Sequence, residues 1–148
     1  SKVRNKFLLL VLFLILIQII LGVFLAGLNG GLLYNTWPDM NGNFFPSDIN
    51  KTDLYNFQIF YNPSVIQFYH RISAYLLIFV LLILNFFFYT NSIELRPILI
   101  LNLAIFFQVI LGIVTLITGV KIYYASLHQL GSVFVLISFI NIFYKNTN

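Results

Sequence analysis

Residues 7–28 read FLLLVLFLILIQIILGVFLAGL, a run in which Gln18 is the single strongly polar residue and no side chain is charged. A hydrocarbon core of about 30 Å takes about 20 apolar helical residues to cross, so this run reads as a spanning helix, too long for a signal-peptide core of about 7–15 residues. Working outward from it, Lys2, Arg4 and Lys6 precede the helix, and the composition from 29 to 63 shifts to Asn, Asp, Gly and Pro interleaved with aromatics. That segment is an outer loop. Three more apolar runs follow, giving expected helices over about 7–28, 65–89, 98–117 and 122–144. Glu94, Arg96 and Pro97 mark a short inner turn, and Gly119 and Lys121 a tight outer one. The 148 residues are 60% apolar and 8% charged, against about 25% charged in a soluble domain. The chain is therefore one integral membrane domain, all-α, with no room for a soluble one.

The net charge of +4 is a topology signal, since its lysines and arginines stand singly or beside membrane ends and form no nucleic-acid-binding block. Lys2, Arg4, Lys6, Arg96 and Lys145 fall on one side, Lys51 and Lys121 on the other, with Arg71 near the outer end of the second helix. The positive-inside bias puts both termini on the cytoplasmic or matrix side. Without cysteine, iron–sulfur clusters, zinc–thiolate sites, disulfides and thiolate-ligated haem are excluded.

Aligning the polar residues exposes an internal repeat. Helix one carries Gln18-Ile-Ile-Leu21-Gly22 and helix three Gln108-Val-Ile-Leu111-Gly112; helices two and four each carry one histidine followed at i+3 and i+4 by small residues, His70 with Ser73 and Ala74, His128 with Gly131 and Ser132. The expected architecture is a four-helix bundle of two repeated hairpins. His70 lies five residues past Val65, about 7.5 Å deep, and His128 six past Ile122, about 9 Å deep, at a rise of about 1.5 Å per residue. Both helices run the same way, so the two imidazoles face each other at one level.

Two opposed imidazoles suit a plate-like cofactor held axially, and the small residues one turn on share the histidine face and leave a flat wall for a porphyrin. Zinc, copper or nickel also accept imidazole, but a structural site wants more ligands than two. A bis-histidine haem needs only His70 and His128 and points to electron transfer. Two rivals stand beside it: a free-standing b-type membrane cytochrome, and a haem-free scaffold whose histidines only bond neighbouring helices. Gln18 and Gln108 read as interhelical glue or as cofactor contacts. Arg71 reads as a partner for a haem propionate or a lipid phosphate, with Lys121 a second propionate candidate. Trp37, Phe44, Phe45, Tyr55, Phe57, Phe60 and Tyr61 suit a headgroup-level belt or a lid over the bundle mouth. Asp39, Asp48, Asp53 and Glu94 all fall in loops, which disfavours proton-coupled transport through an intramembrane carboxylate.

Four ordered stretches, QIILGVFLAGLNGGLLYNTWPDM from Gln18, VIQFYHR from Val65, QVILGI from Gln108 and SLHQLG from Ser126, together resemble the second half of the haem A synthase family, in its mitochondrial and alphaproteobacterial branch. The resemblance runs from about Gln18 to Gly131. It implies an eight-helix protein of two related halves, in the mitochondrial inner or bacterial cytoplasmic membrane, that oxidises a methyl of haem O to the formyl of haem A for cytochrome oxidase. It further implies that His70 and His128 ligate haem b, while the substrate haem and an essential glutamate belong to the N-terminal half, on the same or a separate chain. An electron donor, unidentified, and membrane lipid complete the expected partners. Asn29 and Trp37 stand where that family commonly has Asp and Phe. With Ser1 first and Lys2, Arg4 and Lys6 resembling a linker between halves, the expectation is that this chain alone is not catalytically complete.

Overall fold

Why the apolar runs form helices is a matter of solvent. In hydrocarbon every backbone N–H and C=O must be satisfied within its own segment, which a helix does and a loop does not. The computed structural model describes residues 2–50, 52, 60–91 and 95–147, with side chains from Asn5 to Asn146. Its helices are α1 (Lys2–Gly27), α2 (Pro63–Thr90), α3 (Leu95–Ile117) and α4 (Ile122–Thr147), with a 3₁₀ turn at Gly30–Leu32. Each is long and apolar enough to cross a membrane. No strand occurs among the described residues.

Caps set the boundaries. α2 begins two residues before the apolar run because Asn62 Oδ1 accepts the backbone N–H groups of Ser64 at 3.0 Å and Val65 at 3.3 Å, with Pro63 in the first turn. α3 is closed by Gly119, two residues past its end, at φ 71°, where the N–H of Gly119 bonds the Leu116 carbonyl at 3.1 Å and that of Val120 the Thr115 carbonyl at 2.8 Å. That pairing closes the turn into α4.

The helices form a ring in which α1 pairs with α2 and α3 with α4, the two hairpins meeting along α1/α4 and α2/α3. Packing is uneven along the axis. The core gathers at the end that carries the chain termini: Leu8, Val11 and Ile15 of α1, Leu77, Val80, Leu81, Leu84 and Phe88 of α2, Ile98, Leu101, Ala104 and Ile105 of α3, and Val135, Phe139 and Ile142 of α4. Their spacing is that of one helix face. Toward the loop end the pattern stops, and no residue within 16–29, 68–76 or 106–134 is fully buried. Across the α2/α3 seam, Asn85 and Asn102 exchange side-chain amide hydrogen bonds of 3.0 and 2.6 Å.

The connection from α1 to α2 is fastened to both hairpins. Asn35 Nδ2 donates to the carbonyls of Gly31 at 2.8 Å and Leu116 at 2.9 Å, Phe45 meets Phe68 edge-on with centroids 5.2 Å apart, and the Trp37–Pro38 peptide is cis. Trp37, Phe44, Phe60 and Tyr61 are exposed. Lys51, Asp53, Tyr55, Phe57 and Glu94 lie outside the described residues, as do the side chains of Lys2 and Arg4.

Candidate functional site

The two histidines are brought together in the loosely packed half of the bundle. His70, seven residues after Pro63, and His128, six after Ile122, sit at nearly equal depth, with ring centroids 6.5 Å apart and planes at 82°. Two imidazoles bound trans to one metal, each at about 2 Å with a ring radius of about 1.1 Å, would have centroids about 6.3 Å apart. The observed separation matches that figure.

Each ring rests in a notch made by the glycine of its own hairpin. A Cβ on Gly22 would stand 3.3 Å from His70 Cε1, and one on Gly112 only 2.9 Å from His128 Cε1. The glutamine four residues earlier supplies the polar contact. Gln18 Nε2 donates to the His70 carbonyl at 3.1 Å, and Gln108 Nε2 to the His128 carbonyl at 2.6 Å. The sequence repeat thereby acquires a physical meaning. A helix carbonyl is overhung by the residue four positions on, so glycine at 112 opens the Gln108 carbonyl to a neighbour; His128 Nδ1 reaches it at 3.1 Å. Because a carbonyl only accepts, Nδ1 carries the proton and Nε2 keeps its lone pair for a metal. Gly22 and Gly112 are site residues that sequence reasoning recorded only as parts of a repeat.

The other expected site residues are distributed as follows. The Ser73 hydroxyl, with one proton to give, lies within reach of both Gln18 Oε1 and the His70 carbonyl. Gly131, in the equivalent position after His128, faces α3, where a Cβ would run into Gln108 Oε1. That oxygen is buried without a partner. Ser132 donates to the Gln129 carbonyl of its own helix at 2.7 Å, and Ala74 is partly buried. Arg71 serves the loop: Nη1 donates to the carbonyls of Thr36 at 3.0 Å and Asp39 at 2.6 Å, and Nη2 to that of Tyr34 at 3.0 Å. Lys121 is exposed at the turn before α4.

Around that clasp the loop is electrostatically settled. Burial pushes the Asp48 carboxyl up, but hydroxyl donations from Ser64, at 2.6 Å, and Tyr34 outweigh it and hold the group below the ordinary aspartate range. The Asp39 carboxyl is held low mainly by the Thr36 hydroxyl, then by the Gly42 N–H. Gln67, 1% exposed, donates to the Tyr34 carbonyl at 3.0 Å. Among the described residues no group of three or more His, Cys, Asp or Glu side chains could hold a metal ion, so the ligands this site offers are two neighbouring imidazoles.

Fold and site define a multi-pass membrane bundle with two neighbouring histidines at one depth. Residues 2–140 match the family described as cytochrome oxidase assembly protein, and the chain belongs to that family. Among its curated relatives are proteins named heme A synthase from Pelagibacter ubique, 56% identical over the whole chain, which covers 44% of that protein; from Wolbachia pipientis, 39% identical over 83% of the chain and 34% of the relative; and from Bartonella henselae, 40% identical over 78% and 33%. The chain thus spans less than half the length of these relatives. No solved structure matches it.

Proposed function

We propose that this chain is the haem-b-binding, electron-transfer half of a haem A synthase, with His70 and His128 as axial ligands. The observation that carries the reading is the 6.5 Å separation of the two imidazole rings in a stretch where none of the four helices buries a residue. When bound there, haem b supplies a one-electron redox centre with no open iron position. The chain's own part is to hold and insulate. His128 is kept in one tautomer by the Gln108 carbonyl, Gly22 and Gly112 set how closely each ring backs onto its hairpin, and the packed core at the termini end fixes the spacing of α2 and α4.

Arg71 and Asn35 tie the loop across the mouth, which limits water at the site. Arg71, whose Nε is buried and unpartnered, and exposed Lys121 are proposed as the cations for haem propionates. Ala74 and Ser132 are proposed to line the haem side of α2 and α4, whereas Ser73 and Gly131 turn to the glutamine of their own hairpin. Haem O and the oxidation of its methyl belong to the N-terminal half, which with an electron donor and the lipid makes up the partner set. In this arrangement both termini face the cytoplasm or matrix.

The test is spectroscopic. The purified chain binds about one low-spin haem, and His70→Ala and His128→Ala each abolish the six-coordinate spectrum. Two single variants with the parent's spectrum would overturn the assignment.

A further inference from the structure

The two hairpins repeat in sequence but not in the way they treat their histidines. In the second hairpin the His128 ring donates its Nδ1 proton to the backbone carbonyl of Gln108, 3.1 Å away, and the Gln108 side-chain amide donates to the His128 carbonyl. In the first, the amide nitrogen of Gln18 lies 3.3 Å from both ring nitrogens of His70 as well as 3.1 Å from its carbonyl.

One residue accounts for the difference. At the position three after the histidine stands Ser73 in the first hairpin, and its hydroxyl donates to Gln18 Oε1. The oxygen is thereby held, and the amide nitrogen is turned onto the ring. The second hairpin has Gly131 there. Gln108 Oε1 slides over the bare Cα, where a Cβ would collide with it, and remains without a partner.

We propose that Gln18, held by Ser73, is a positioning residue that makes the two axial ligands electronically unequal. This rests on the bis-histidine haem reading. A ring that donates its N–H to a carbonyl is the more basic ligand, which describes His128. A ring that faces the positive end of an amide N–H dipole donates less and disfavours added positive charge at its metal, which describes His70. Since the ferric state carries one more positive charge than the ferrous, the Gln18 amide holds the midpoint potential up. Removing it lowers the potential.

The experiment is redox titration of the purified, haem-loaded chain, read in the visible spectrum. Gln18→Leu is expected to shift the ferrous/ferric equilibrium on the order of tenfold toward ferric, ~59 mV for one electron, while the low-spin spectrum persists. Ser73→Ala, a small change that frees Oε1, moves it the same way by less. Ser73→Thr, which keeps the hydroxyl, returns it toward the parent. Gln108→Leu gives a smaller shift than Gln18→Leu, because the partner of the His128 ring is backbone. Parent-like potentials in both Gln18→Leu and Ser73→Ala, or a Gln108→Leu shift as large as that of Gln18→Leu, overturn the proposal and leave the haem assignment standing. If Gln18→Leu does not fold, Ser73→Ala and Ser73→Thr decide between the outcomes by themselves. A parent chain that takes up no low-spin haem overturns both readings.

Discussion

Adding one carbon at Gly112 should be among the most damaging small changes available in this protein. The alanine Cβ would lie 2.9 Å from His128 Cε1, whereas carbon atoms in contact settle at about 3.5–4.0 Å. The ring would have to retreat by about 0.6–1 Å. It has little freedom to do so, because Nδ1 is bonded to the Gln108 carbonyl and, with haem ligated as proposed, a metal–ligand bond would tolerate only about 0.2 Å. Overpacking of this kind costs about 1–3 kcal/mol, or about 5- to 150-fold in haem affinity. Gly22→Ala, where the corresponding distance is 3.3 Å, demands a few tenths of an ångström and should cost much less. The assay is haem per protein and the reduced spectrum of both variants, purified in parallel, with helical content by circular dichroism to show that each has folded. Parent-like haem content and spectrum in Gly112→Ala, or a larger loss in Gly22→Ala, would refute the notch geometry.

At Gly131, leucine should displace the Gln108 amide from the His128 carbonyl and lower haem occupancy, while serine, which supplies the hydroxyl found at Ser73, is the better tolerated; equal occupancy in the two variants counts against this. Single substitutions Asn85→Leu and Asn102→Leu each strand one amide and should destabilise by about 0.6–2 kcal/mol, the double variant by less than the sum, as measured by unfolding in detergent; simple additivity would show that the amides are not coupled. Asp48 has a carboxyl pKa lowered by folding, so its stabilisation is present above the unfolded value of about 3.9 and disappears as pH falls through the folded value. Proteolysis of the α1–α2 connection should accordingly accelerate on acidification in the parent, whereas Asp48→Asn should be cut faster at neutral pH and respond less to acid than the parent, Asp39 still titrating.

How much of this was legible beforehand follows from what each feature depends on. Four spans, their order and the hairpin repeat are local properties. About 20 apolar residues in a row leave the backbone no solvent but itself, and a constant helical rise makes the depth of His70 and His128 a matter of counting. Those two residues, with Gln18 and Gln108, could therefore be singled out from the chain alone. What a counted depth does not contain is azimuth. In a soluble bundle, alternation of polar and apolar residues tells which face turns inward, but here α1 is apolar nearly all round, and Leu9, Phe13 and Val23 on its exposed side are chemically the same as Leu8, Val11 and Ile15 in the core. Only packing in three dimensions decides that Gly22 and Gly112 back onto the imidazoles, that Ser73 holds Gln18 while Gly131 leaves Gln108 Oε1 unpartnered, that Asn85 finds Asn102, and that Arg71 closes on the carbonyls of a loop more than thirty residues before it. The physical reason is the solvent: lipid and protein interior are equally apolar, so contacts between helices are selected by shape and by the few hydrogen bonds within reach, and neither is written in the pattern of any single helix.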